Sequence, residues 1–174
     1  MTIATYIAMP VLAVMQVSAA IAQDEKLKAF NLHGQVFELN LDDSIERPIV
    51  GAVIEIWSGE EFITSIESGS KGKYKINLVY YPIYHLKFGK SPYITKVIEI
   101  NAKGFTRAAE FGVVNLDLDV SIFKDQNFLG LGFMSYTPVA KASFNKSKGV
   151  ILWDDKYSKQ MNGRIQGVLE ANGK

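Results

Sequence analysis

The chain has 174 residues, 19 basic against 18 acidic side chains for a formal net charge of +1, and 48% hydrophobic residues. That composition fits one ordinary globular domain, with or without an appendage; it excludes a disordered, collagen-like or coiled-coil chain and lacks the basic excess of a nucleic-acid binder. Cysteine is absent and His33 and His85 are the only histidines, which excludes disulfides, thiolate chemistry, cysteine-based zinc sites and the lipid-bearing cysteine of a bacterial lipoprotein.

The segment from Met1 to Ala22 carries no charged side chain. Its apolar run Ile7 to Met15 is followed by the small residues Ser18, Ala19, Ala20 and Ala22. This pattern predicts an export signal over 1–22, with Ala20-Ile21-Ala22 as the peptidase motif and cleavage before Gln23. Such signals ordinarily open with Lys or Arg, and none precedes Lys26. The competing reading is a retained membrane anchor, which needs about 20 apolar residues; Thr2, Thr5, Pro10, Gln16 and Ser18 dilute the run. After cleavage the chain is expected not to be an integral membrane protein.

From Leu32 to Ile100, short apolar runs alternate with turn residues. Strands are expected at Val36–Leu39, Ala52–Trp57, Phe62–Ile66, Lys73–Leu78, Tyr84–Phe88 and Thr95–Ile100, separated by turns such as Ser58-Gly59 and Ser68-Gly69-Ser70-Lys71-Gly72. In Lys73–Leu78 the Lys, Lys and Asn side chains share one face and Tyr74, Ile76 and Leu78 the other. Val114–Phe123 alternates strictly, with Val114, Leu116, Leu118, Val120 and Ile122 on one face. Its polar face carries Asp117 and Asp119; a metal site is one reading, and a solvated strand face is what alternation alone predicts. Asn101–Val113 reads as a crossing loop. Strand-like runs at this spacing predict a mainly β fold, an antiparallel β-sandwich of about seven strands over 30–124.

The rest, 125–174, forms a C-terminal extension. Pro138–Asn145 reads as extended, and Val150–Trp153 leads to Asp154, a helix N-cap. Tyr157, Met161, Ile165 and Leu169 recur every four residues, predicting an amphipathic helix over about 155–171. Its polar face mixes Lys156, Lys159 and Arg164 with Asp155 and Glu170, too mixed for a strong membrane binder; packing on its own sandwich is expected, with a partner or a membrane as the alternative surface.

Four landmarks occur in order: Gly34-Gln35-Val36; Arg47-Pro48-Ile49-Val50-Gly51-Ala52-Val53-Ile54; Ser68-Gly69-Ser70-Lys71-Gly72-Lys73-Tyr74-Lys75-Ile76; and Tyr84-His85-Leu86-Lys87-Phe88 running on to Tyr93. Together they resemble the carboxypeptidase regulatory-like domain, a transthyretin-like β-sandwich. Ser68-Gly69 departs from that family's Thr-Asp, and Pro92 from its glycine. The tail segments Pro138-Val139-Ala140-Lys141-Ala142 and Trp153-Asp154-Asp155-Lys156-Tyr157 resemble those of exported bacterial proteins with this domain. The resemblance implies export in a Gram-negative bacterium, to the periplasm or the outer membrane. Gly51 and Gly72 are the expected turn glycines, Tyr74 and Tyr93 core aromatics, and Trp153 and Tyr157 anchors of the tail, Trp153 as a buried one.

The zinc-peptidase reading that the family name invites needs a His-x-x-Glu pair, and neither histidine begins one. Tyr80, Tyr81, Tyr84 and His85 lie close in sequence, but iron bound by two tyrosinates and two histidines would need His33 alongside. No Gly-x-Ser-x-Gly elbow or phosphate loop occurs. The expectation is a non-catalytic binding or assembly module of the cell envelope with no cofactor. Trp57, Tyr80 and Tyr81 are the candidate aromatic binding surface, another envelope protein the first partner class and glycan the second. The alternative is a small exported hydrolase of unrecognised type.

Overall fold

A computed structural model describes residues 28–40, 44–79, 81–105, 114–124 and 130–172. The predicted signal segment, the crossing loop beyond Phe105 and Tyr80 lie outside the described residues. The chain forms β1 (Lys28–Leu39), β2 (Glu46–Pro48), β3 (Val53–Ser58), β4 (Glu61–Glu67), β5 (Lys73–Val79), β6 (Ile83–Gly89), β7 (Lys96–Asn101), β8 (Val114–Asp117), β9 (Val120–Ile122), β10 (Pro138–Asn145), β11 (Val150–Trp153) and α1 (Asp155–Ala171).

These strands make two sheets. In the first, β1 is central: β5 and β2 pair antiparallel along one side of it, and β8 and β9 pair parallel along the other. The second is six-stranded, in the order β11-β10-β7-β6-β3-β4. The mainly β sandwich with a C-terminal helix is therefore as the alternation predicts. Two details differ from a seven-stranded antiparallel arrangement. Eleven strands occur among the described residues, and β1 with β8 and β9, and β7 with β10, pair parallel. Parallel partners require a crossover connection, and no local sequence pattern announces which distant strands will meet.

The core fills the space between the sheets. Leu32, Val36, Tyr74, Leu78, Leu116 and Ile122 face inward from the first sheet. Ile54, Ile56, Tyr84, Leu86, Phe88 and Ile100 face them from the second. Alternation along each strand delivers these side chains, since every second residue takes the same face.

The strictly alternating run Val114–Phe123 breaks into β8 and β9 at Leu118-Asp119, and Gly34 explains the break. The Leu118 carbonyl sits where a Cβ at Gly34 would be, 2.0 Å from its ideal position. It accepts the buried Tyr74 hydroxyl at 2.5 Å, while the Leu118 N–H donates to the His33 carbonyl at 2.9 Å. The Gln35 N–H, left without a strand carbonyl, donates to the Asp119 carboxylate at 2.8 Å. Burial pushes the Tyr74 hydroxyl's pKa far up, so it stays a donor. Tyr74→Phe would strand a buried carbonyl, an expected loss of roughly 1–3 kcal/mol in urea denaturation; an unchanged midpoint would show that the hydroxyl does not hold the break.

The extension joins the sandwich along an edge. β10 lies parallel to β7, with β11 folded back beyond it. The helix then packs over a second, smaller core of Ile94, Phe123, Leu131, Phe133 and Met134 through Met161, Ile165 and Leu169. The Asp154 carboxylate caps the helix, accepting from the Tyr157 N–H at 2.9 Å, and the Tyr157 hydroxyl donates to the Pro138 carbonyl at 2.7 Å. Trp153 does not serve as a buried anchor. It is 37% exposed, because it lies on the edge strand β11 with no strand beyond it among the described residues. No helix among the described residues is long and apolar enough to cross a membrane.

Candidate functional site

The outer face of the six-stranded sheet carries a continuous aromatic and charged stripe. On β3, Trp57 stands opposite His85 of β6 and, across a bulge, Phe62 of β4. The Ser58-Gly59-Glu60-Glu61 turn brings Trp57 and Phe62 together edge to face, with ring centroids 5.2 Å apart. The indole N–H donates to Glu55 at 2.9 Å, and the Lys87 ammonium lies 4.5 Å from the indole centroid. Trp57 is thus half-buried and fixed on three sides. Phe62, 50% exposed, is the ring that faces water.

The stripe continues across the sheet. His85 approaches Glu99 of β7 at 3.4 Å, and Glu99 is bridged by the Lys141 ammonium of β10 at 3.2 Å. Lys141 in turn lies 5.0 Å from the Tyr157 ring centroid. Strand parity places all of these on one face, because His85 pairs with Glu99 and Lys141 with Glu99 in register. Such half-exposed ion pairs contribute little to stability individually; they order the surface.

Tyr81 reaches the same hairpin from the core side. Its ring packs edge to face on Tyr84 at 6.1 Å, and its hydroxyl comes within 3.4 Å of Glu61, next to Phe62. It is half-buried and packed against the main core, so it offers less surface than its place in the sequence implies. Sequence reasoning missed Phe62. The available signal was the four-residue turn, which sets residues 57 and 62 opposite each other.

The outer face of the first sheet is polar. His33, 40% exposed at its side chain, meets Asp117 of β8 at 2.7 Å through Nε2. Its Nδ1 is buried and has no hydrogen-bond partner among the described residues. Asn31 donates to Asn115 at 3.0 Å in the next pair along. Asp117 and Asp119 therefore serve His33 and the Gln35 N–H, and no group of three or more metal-ligating side chains occurs among the described residues. His33 and His85 occupy the outer faces of different sheets with the core between them.

The remaining expected anchors take these positions. Gly51 has φ +71° and Gly72 φ +69°. The turn at Gly51 is tied by Ser68, a buried residue that the sequence marks only as the opening of the Ser68–Gly72 turn. Its hydroxyl donates to the Ile49 carbonyl at 2.7 Å and accepts from the Ala52 N–H at 2.9 Å. Tyr93 sits at the end of the sandwich, bridged to Lys124, with its hydroxyl donating to Glu38 at 3.1 Å. Lys124 also pairs with Glu38 at 3.1 Å, and its ammonium holds the Glu38 carboxyl below the usual range.

No family model matches the chain, and no curated protein does. Among solved structures it is similar to catechol 1,2-dioxygenase from Pseudomonas arvilla C-1, with 14% identity, TM-score 0.40 and coverage of 56% of this chain and 52% of that one. Chlorocatechol 1,2-dioxygenase from Pseudomonas putida gives 12% identity and TM-score 0.42, covering 55% and 60%. The pilus 2b backbone protein of group B streptococcus gives 11% identity and TM-score 0.39, covering 56% and 42%. The chain spans less than two thirds of each of these proteins.

Proposed function

We propose that this protein is a non-catalytic binding or assembly module of the bacterial cell envelope, exported by its N-terminal segment and acting on another envelope protein. The observation that carries the reading is the hairpin of β3 and β4, which holds an exposed Phe62 against a fixed Trp57 beside the Lys87 ammonium. An aromatic anchor ringed by charge is the kind of side-chain set on which protein interfaces concentrate their binding energy. A glycan is the weaker partner. Sugar rings stack on an open aromatic face, and one face of Trp57 is already covered by Lys87.

The test is binding of the purified protein to solubilised envelope proteins and, separately, to envelope glycan, each followed for Phe62→Ala and Trp57→Ala. Phe62→Ala is expected to weaken protein binding by roughly tenfold or more, an effect above about 1.4 kcal/mol, with the melting curve nearly unchanged. His33→Ala and His85→Ala are expected to leave binding intact. Turnover of any substrate that a folded His33→Ala or His85→Ala variant had lost would overturn the non-catalytic reading. Binding indifferent to both aromatic substitutions would overturn the choice of surface.

A further inference from the structure

A cleft of about 360 Å³ opens where the β8–β9 edge of the first sheet faces β7, β10 and the start of α1. Its walls are largely apolar, formed by Ile98, Leu118, Val120, Val139 and Trp153. Lys96 also lines it. In register Lys96 stands opposite the fully buried Phe88, so its side chain is directed inward, to the face where strand neighbours are apolar. The ammonium lies 5.3 Å from the Phe123 ring centroid. Among the described residues no carboxylate comes within ion-pair distance of it. Burial pushes its pKa down to about 8, with the field of Glu46 acting in the opposite direction.

A cation half-buried against apolar walls, with no counter-ion within ion-pair distance among the described residues, is unfavourable, and a ligand that brings the anion relieves it. The neighbouring acids do not fill that role. Glu46 on β2 is engaged by the Ser121 hydroxyl, and Asp119 by the Gln35 N–H. Asp155, in the first turn of α1, is exposed. Asp119 and Asp155 are both water-facing, where screening weakens their repulsion of an incoming anion. We propose that this cleft binds an amphipathic anion, a carboxylate on a short apolar chain, with Lys96 as its counter-ion and Trp153 against the chain. The site lies apart from the Trp57–Phe62 hairpin and stands or falls independently of the protein-binding reading.

The test uses the full chain and two probes of equal length, octanoate and octanol, compared by calorimetric titration from pH 6.5 to 9.5. At pH 7 octanoate is expected to bind at least tenfold more tightly than octanol. The carboxylate stays ionised throughout, while Lys96 loses its proton as pH rises through about 8, so the preference should shrink toward unity by pH 9.5. Lys96→Met should abolish the preference. Lys96→Arg should keep it and remove the pH dependence, since the guanidinium does not titrate in this range; this variant decides the matter if Lys96→Met fails to fold. Equal affinity for the two probes, binding of neither, a preference that survives in Lys96→Met, or loss of the preference in folded Lys96→Arg would overturn the site.

Discussion

Gly72→Ala is expected to destabilise the protein by roughly 2–4 kcal/mol, combining a left-handed backbone penalty with overpacking. Gly72 has φ +69°, and a Cβ there would lie 2.4 Å from the Val36 carbonyl oxygen and 3.2 Å from the backbone of Ile49. Both neighbours are main chain, so neither can swing away as a side-chain tip would. The three segments that meet at this point are the turn into β5, the middle of β1 and the turn before β3, so displacement would spread to both sheets. Gly59→Ala is the matched control, because Gly59 has φ +60° and nothing within 4 Å of its added Cβ; it should cost only about 1 kcal/mol. Gly34→Ala tests the converse case, a clash without a positive φ, with the Leu118 carbonyl 2.0 Å away. Urea denaturation of the three variants separates the terms. If Gly72→Ala were no worse than Gly59→Ala, close packing of the turn on β1 would be wrong.

These glycines show which parts of the fold a sequence announces. Gly72 is recognisable because a turn signal, Ser68 to Gly72, directly precedes a cleanly alternating strand, and both are local. Gly34 is recognisable only as a position before a strand, and β1 in fact runs through it from Lys28 to Leu39. What demands glycine there is a carbonyl 84 residues further along the chain, which no window around residue 34 contains. The division of Val114–Phe123 into β8 and β9 has the same origin. Its alternation correctly predicts that Leu116, Leu118, Val120 and Ile122 are buried together, since side-chain parity survives the break. It contains nothing about the Tyr74 hydroxyl that takes the Leu118 carbonyl out of the ladder.

The candidate sites divide in a similar way. That Trp57 belongs to a surface feature is legible, because it ends an alternating strand beside a turn. That Phe62 is the exposed member of the pair follows from its place on β4, the edge strand of the sheet, a position in the strand order that no local window reveals. Lys96 is the least legible. In Thr95-Lys96-Val97-Ile98-Glu99-Ile100 a lysine reads as the polar side of an alternating strand. Instead Val97 and Ile98 are both buried, because the turn at Gly132–Ser135 packs near β7 on one side and the main core lies on the other. Glu99 keeps a half-exposed place on the outer face, but Lys96 shares the inward face with the buried Ile98 and Ile100 and is left in a cleft.

Ile165→Ala is expected to cost about 2–4 kcal/mol, as for a buried aliphatic side chain cut back to a methyl, while Trp153→Ala should cost less, because the residue is 37% exposed on an edge strand. The contrast reverses what the sequence implies, since a tryptophan beside a helix start reads as the stronger anchor. Ile165 lies 9% exposed between Met161 and Leu169, and the three cover Phe133 and Met134 in the second core. The Arg164 guanidinium, 3.7 Å from the Phe133 ring centroid, closes that core from the solvent side. Because β10 is a member of the six-stranded sheet and α1 packs against β10, the helix and sheet should unfold together. Thermal unfolding of the parent chain should then show one transition, lowered in Ile165→Ala and lowered less in Trp153→Ala. Gly163→Ala supplies the control within the helix: its Cβ meets nothing within 4 Å, so the substitution should stabilise by up to about 1 kcal/mol through helix propensity alone. A separate early transition that Ile165→Ala shifts while the main one stays fixed would show that the helix docks as an independent unit, and a larger loss from Trp153→Ala than from Ile165→Ala would place the anchor of the tail on β11 after all.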